Sequence, residues 1–288
     1  MNYAENLRIR NIIKIALAED IGRGDITAEL LVPRGGKVSA DILAGEKGIV
    51  CGIDIAGMVF KSLDKSIKFI PKVKDGDRIK KGMVLAKLSG KASSILMGER
   101  VALNFLGMLS GIATRAGEFV DKIKNYKVKL MDTRKTLPGL RELQKYAVKT
   151  GGGYNHRFRL DEMVLIKDNH LRVTGFGLRA RELKDLIKGI RKRIPPGMKI
   201  EIEVRNQEEF KHALEAKPDI IMLDNMRIDK IKKAVIMRNE ENPMPKIEAS
   251  GNIELKNISE YAHSGVDFIS LGTLTKDVHS LDLSLEIE

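Results

Sequence analysis

Cationic side chains gather in three short stretches of this sequence, Arg134-Lys135, His156-Arg157 and Lys167. Converging guanidinium and ammonium groups suit carboxylate and phosphate oxygens, and arginine grips such oxygens two at a time. A multiply anionic small molecule is the matching substrate. Against these cations stand the acids Glu203 and Asp224. Such a pair commonly holds Mg²⁺ together with substrate oxygens; balancing the neighbouring cations is the plainer alternative. Ser250-Gly251-Asn252 and Gly272-Thr273 are short glycine-containing turns before predicted helices, where backbone N–H groups favour phosphate. Gly151-Gly152-Gly153 runs directly into Tyr154-Asn155-His156-Arg157. Three consecutive glycines cost conformational entropy, so close backbone approach or unusual dihedrals are expected there. A mobile loop that carries His156 and Arg157 to a substrate would supply that need.

These residues share one place in the hydrophobic pattern. From residue 128 onward, short apolar runs at 128–131, 163–166, 199–204, 219–223, 246–248 and 267–271 alternate with amphipathic stretches. Six strand–helix units predict a parallel α/β barrel, smaller than the usual eight, whose active site is built by loops at the carboxyl ends of the strands. Asp132-Thr133-Arg134-Lys135, Lys167-Asp168-Asn169-His170, Arg205, Asp224-Asn225, Ser250-Gly251-Asn252 and Gly272-Thr273 stand at those six ends in turn. A solvated loop explains any one polar strand end; six together call for more. Glu201 and Glu203 fall on one strand face, and the pattern does not separate them as ligands. The intervening helices include 138–150, with Pro138 in its first turn and Gly151 past its end. Another, 206–216, has Asn206 as its cap and Glu209 three residues on.

Before residue 112 the texture differs. A helix at 5–19 carries Ile9, Ile12, Ile13 and Ala16 at helical spacing and stops at the glycine-containing stretch 20–25. Val38, Ala40, Ile42 and Ala44 alternate as in a strand; a helix at 53–63, strands at 67–73 and 83–88, and a long helix at 92–124 follow. Residues 73–85 resemble the turn-and-strand pattern of biotinyl and lipoyl carriers but lack the Met-Lys-Met setting, so a structural hairpin is expected.

The chain has 288 residues, 43% hydrophobic and 31% charged, with a formal net charge of +12. That surplus admits three partners: nucleic acid, an anionic membrane surface or a small polyanion. Aromatics are 5% and Trp is absent, which argues against a base-stacking nucleic-acid surface. Early charges at Glu5, Arg8, Arg10 and Lys14 interrupt any signal-peptide core, and the apolar run 101–113 is too short to span a bilayer. The single cysteine, Cys51, excludes an intrachain disulfide and any multi-thiolate metal site, and a cytoplasmic location is expected.

Several long motifs together resemble the quinolinate phosphoribosyltransferase family. They are Asp132-Thr133-Arg134-Lys135-Thr136-Leu137-Pro138-Gly139-Leu140-Arg141, Gly151-Gly152-Gly153-Tyr154-Asn155-His156-Arg157, Leu165-Ile166-Lys167-Asp168-Asn169-His170, Leu223-Asp224-Asn225-Met226 and Glu248-Ala249-Ser250-Gly251. The likeness reaches forward to residues 19–27 and 99–104 and covers nearly the whole chain in the family's order. It implies an N-terminal α/β sandwich, residues 1–111, joined by the tail 274–288, and an incomplete six-stranded α/β barrel, residues 112–273. It also implies the activity: with Mg²⁺, quinolinate and phosphoribosyl pyrophosphate give nicotinate mononucleotide, pyrophosphate and carbon dioxide, a step of NAD biosynthesis.

By the same resemblance Arg100, Arg134, His156 and Arg157 match quinolinate-binding positions, while Lys135, with Thr136 beside it, and Lys167 lie close to both substrates. Glu203 and Asp224 match positions serving ribose and metal, and Ser250, Gly251, Asn252, Gly272 and Thr273 fall at phosphate-binding turns. A homodimer is implied, with Arg100 completing the neighbouring subunit's site. Two departures stand out: Leu137 where the family often has Thr, and Asn252 where it often has Gly, which puts that turn's dihedrals in question. A same-fold relative associated with molybdate transport genes is the nearest alternative; Arg134, His156 and Arg157 argue against it, because they suit a dicarboxylate.

Overall fold

The alternation at Val38, Ala40, Ile42 and Ala44 becomes a strand in the computed structural model, which describes residues 7–175, 179–241 and 244–288. The chain divides into two units, one of Met1–Gly117, Leu137–Gly152 and Asp277–Glu288, the other of Glu118–Thr136 and Gly153–Lys276.

In the first unit, α1 (Leu7–Ile21) buries Ile9, Ile13 and Leu17 at four-residue spacing. Residues 5 and 6, expected in this helix, lie outside the described residues. Asp25 caps α2 (Ile26–Leu31) by accepting from the Ala28 N–H at 3.0 Å. There follow β1 (Lys37–Ala44), β2 (Gly48–Ile49), α3 (Ile53–Leu63), β3 (Lys68–Pro71), β4 (Arg78–Ile79) and β5 (Val84–Lys91). Strand Leu283–Ile287, β1, β5 and β3 form one antiparallel sheet in that order, and β2 pairs with β4. The turn within the carrier-like stretch caps a helix. Asp75 accepts from the N–H groups of Gly52 at 2.8 Å and Ile53 at 3.0 Å, which start α3. Tyr146 holds the other Asp75 oxygen at 2.8 Å.

The apolar run 101–113 lies inside the much longer α4 (Ala92–Ile123), of 32 residues. By length and composition this helix is sufficient to cross a bilayer, but 61% of its apolar window is buried within the protein. Its Ser110 exchanges hydrogen bonds with the backbone of Cys51, at 3.0 and 3.3 Å. Cys51 is fully buried, and burial pushes its thiol pKa well up, so it is a small core residue rather than a nucleophile.

The second unit is built on six parallel strands. β6 (Lys129–Met131) is followed by α5 (Arg141–Thr150), β7 (Val164–Ile166), α6 (Asp168–Thr174) and α7 (Ala180–Arg191). Then come β8 (Ile200–Val204), α8 (Gln207–Ala216), β9 (Ile220–Asp224), α9 (Ile228–Glu241), β10 (Lys246–Ser250), α10 (Ile258–His263), β11 (Phe268–Ser270) and α11 (Thr273–Lys276), while Leu283–Ile287 is β12. The sheet order is β6-β11-β10-β9-β8-β7, an incomplete barrel whose end strands do not pair with each other. Near-continuous burial along β8 and β9 fits strands covered on both faces. Registers Met131↔Ser270, Ser270↔Ser250 and Ser250↔Asp224 set these carboxyl ends level.

Three local expectations need correction. Pro138 is not in a first helical turn: Gly139 takes φ 79°, Leu137 N–H donates to Gln144 Oε1 at 2.8 Å, and α5 starts at Arg141. That helix belongs to the first unit, so β6 has no barrel helix of its own. The Ser250-Gly251-Asn252 turn does not run directly into a helix, because α10 begins at Ile258. The cap of α8 is as expected: Asn206 accepts from the Glu209 N–H at 2.9 Å, while Glu209 reaches back to the Arg205 N–H at 2.7 Å.

Candidate active site

The ends of the six strands assemble the charged residues in the order the sequence suggests. Past β6, Asp132 is fully buried, Thr133 Oγ1 accepts from the Lys135 N–H at 3.1 Å, and the Lys135 carbonyl accepts from Thr275 at 2.7 Å. The Thr136 N–H turns back to the Arg134 carbonyl at 3.0 Å. The Lys135 stem explains Gly272: a Cβ there would stand 2.8 Å from Lys135 Cδ. Thr273 opens α11, which is only four residues long.

Within the triple glycine the positions differ in what they require. A Cβ on Gly151 would meet the Ala113 carbonyl oxygen at 2.2 Å, and Gly152 takes φ 91°. The chain then runs beside β6, with Tyr154 bridging to Met131, its N–H bonded to the Leu130 carbonyl at 2.8 Å and its carbonyl to the Asp132 N–H at 3.1 Å. These backbone bonds set the path of the segment that carries His156 and Arg157. The His156 N–H donates to Asp132 Oδ1 at 2.9 Å, and the Arg157 guanidinium donates to the Met163 carbonyl at 2.8 Å.

Arg134 and Arg157 stand close enough to feel each other. Burial, and then the Arg134 charge, pull the Arg157 pKa below its ordinary value. Arg134 Nε is buried and has no hydrogen-bond partner among the described residues. Two guanidiniums brought together in this way, one with an orphaned donor, have the donor chemistry that carboxylate oxygens take.

The acids fall into two layers. Lys167, at the end of β7, contacts Glu203 on β8 at 2.5 Å; Arg205 lies 3.0 Å from Asp168 and 3.9 Å from Asp224. Glu203 and Asp224 offer oxygen donors on neighbouring strands, the donor type Mg²⁺ takes, and in this structure each faces a side-chain cation. Two residues back along β8, Glu201 is fully buried; with Glu248 of β10 it surrounds His156 Nε2, at 3.1 and 3.6 Å. Burial pushes the Glu201 and Glu248 carboxyls up to about 8. Asp132 and Glu248 fall within the sequence motifs, but nothing there singles them out. An acid inside an otherwise apolar parallel strand is the signal that could have found Glu248.

Asn225 after β9 and Asn252 in the turn after β10 both take φ 55°, Gly251 takes φ 91°, and Asn252 Nδ2 donates to Asn225 Oδ1 at 3.0 Å. Asparagine therefore occupies the left-handed conformation that glycine would have used, and the turn keeps its shape. A Cβ on Gly251 would collide with the Asn225 amide at 2.2 Å. Ser250 Oγ donates to the Ser270 carbonyl at 3.4 Å. Arg100 lies on α4 in the other unit, exposed.

Comparison with known proteins bears on all of this. Residues 25–110 match the family description "Quinolinate phosphoribosyl transferase, N-terminal domain", and residues 112–286 match its C-terminal domain. The chain is 45% identical over 282 residues to a probable nicotinate-nucleotide pyrophosphorylase [carboxylating] of Methanocaldococcus jannaschii, covering 96% of each chain. It is 41% identical over 273 residues to one from Synechocystis, covering 94% of this chain and 90% of that one. The solved nicotinate-nucleotide pyrophosphorylase of Francisella tularensis superposes with a TM-score of 0.89 at 40% identity, over 98% of this chain and 96% of that one. Both halves of the sequence, and the fold they make, place this chain in the quinolinate phosphoribosyltransferase family.

Proposed function

We propose that the ring of strand ends carries out the family's reaction with the residues described. The chain is a pentosyltransferase that moves phosphoribose from phosphoribosyl pyrophosphate to quinolinate, with decarboxylation, in NAD biosynthesis. The observation that carries the assignment of the site is the close pair Arg134 and Arg157, with its orphaned Nε, which fits a molecule bearing two carboxylates.

Quinolinate binds through Arg134 and Arg157, with His156 beside them. The phosphates of the sugar substrate sit on the turns Ser250-Gly251-Asn252 and Gly272-Thr273. Lys135, with Thr136, and Lys167 stand between the two and offset the repulsion of bringing anions together. Glu203 and Asp224 would hold Mg²⁺, which would supply positive charge to the departing pyrophosphate and leave Lys167 to turn from Glu203 toward substrate. The ring nitrogen forms a bond to the ribose carbon as the carbon–oxygen bond to pyrophosphate breaks. The carbon–carboxylate bond then breaks, carbon dioxide departs, and the electron pair left on the ring carbon beside the cationic nitrogen takes a proton from solvent or a lysine. No covalent nucleophile is required.

A second copy of this chain would bring Arg100 to the site. Its exposed place on α4 supports that reading, as do the exposed Leu7, Ile15, Ile26, Leu30 and Leu31 of α1 and α2, which a partner would cover. A cytoplasmic setting is supported by the lone, buried thiol. The purified chain mixed with quinolinate, phosphoribosyl pyrophosphate and Mg²⁺ is expected to form nicotinate mononucleotide. Turnover with nicotinate but none with quinolinate would overturn the assignment.

A further inference from the structure

The layer beneath the rim holds, around His156, two fully buried acids that have no place in the chemistry above. The His156 side chain is 7% exposed, Glu201 0% and Glu248 1%. The Arg157 N–H donates to His156 Nδ1 at 2.8 Å, so that nitrogen is the acceptor and a ring proton sits on Nε2. Nε2 faces Glu201 Oε2 at 3.1 Å and Glu248 Oε2 at 3.6 Å. Neither oxygen of Glu201 takes a hydrogen bond among the described residues, and the imidazole at 3.1 Å is the ion-pair contact that it makes. On the other side, Asp132 grips the His156 N–H.

The imidazole thus lies between acids from β8 and β10, Asp132 at the end of β6 holds the His156 backbone, and the ring Nδ1 fixes the backbone of the next residue, Arg157. A divalent cation among the three is a poor alternative. The ring proton already fills the gap, and the positive charges of Arg157 and Lys167 act on Glu201 from nearby.

Resting on the reading of Arg157 as a quinolinate ligand, we infer that Glu201 and Glu248 are positioning residues, which act through His156 to set the Arg157 guanidinium for the substrate carboxylate. They touch neither substrate. Their effect is therefore on quinolinate and not on the sugar substrate, and it disappears when Arg157 is gone.

Steady-state kinetics of Glu248→Leu, Glu248→Gln and the double variant with Arg157→Ala test this. Losing a buried acceptor is expected to raise the quinolinate KM about tenfold in Glu248→Leu, with the sugar-substrate KM unchanged and kcat moving less than KM. Glu248→Gln, which keeps an acceptor oxygen, is expected to restore most of the loss. In the Arg157→Ala background Glu248→Leu should add nothing further. If Glu248→Leu does not fold, Glu201→Gln and Glu201→Leu give the same contrast. Equal changes in both KM values, or effects that add to Arg157→Ala, overturn the positioning role while wild-type turnover leaves the reaction assignment intact. One divalent ion per chain in the purified wild type, absent from Glu248→Leu, overturns it as well. A wild-type chain inert toward quinolinate overturns both.

Discussion

Glu203 and Glu201 sit two residues apart on one strand and do different things. At the rim, Glu203 meets Lys167 at 2.5 Å, and the lysine side chain is open to solvent. In the layer below, Glu201 is sealed with Glu248 around His156. Strand geometry puts both on the same face; depth in the barrel separates them. A charge at the rim can be handed from a protein partner to a substrate or ion. A carboxyl in the interior has no such exchange available and can only hold its neighbour in place.

Removing a rim cation should produce the largest effect. Lys167→Ala is expected to lower kcat/KM about a thousandfold, because a preorganised charge is lost where pyrophosphate departs; a loss under tenfold, by product assay, would erase the contrast with the interior. The Mg²⁺ requirement comes next. Glu203→Gln should need about tenfold more Mg²⁺ for half-maximal rate, whereas Glu201→Gln should not move that titration; equal shifts would mean that the two layers are not distinct. The smallest effect concerns stability. An acid whose pKa rises on folding keeps its proton in the folded chain when the unfolded chain has released it, so that stability is lost as pH climbs from 4.5 to about 8. Glu248→Gln should flatten the fall in Tm across that window by about a few degrees, and an unchanged slope in calorimetry would remove Glu248 as a source.

Much of the rim was legible in the sequence, because Arg134, Lys135, Lys167 and Asp224 break apolar runs at the same point of each strand unit. The interior was harder to see. Alternation assigns Glu201 to a face but carries no information on depth, so it stood level with Glu203. Asp132 read as one polar residue among others at a strand end, and the one signal for Glu248, an acid in an otherwise apolar strand, does not give its depth. Pro138-Gly139 imitates a helix start until the Leu137–Gln144 bond is known. For Asn252 the departure from Gly was visible, but the φ of 55° that reconciles it was not.

The order of strands in the first unit bears on how the chain is made. β1 is a central strand because β12, encoded far downstream, covers its other edge from Ala40 to Ala44. While a ribosome is still producing the barrel, β1 and β5 have already emerged, and the β1 edge stands open to pairing with other nascent chains. Protection of that strand waits on an element translated after the whole barrel, so the N-terminal sheet is begun before the barrel and completed after it.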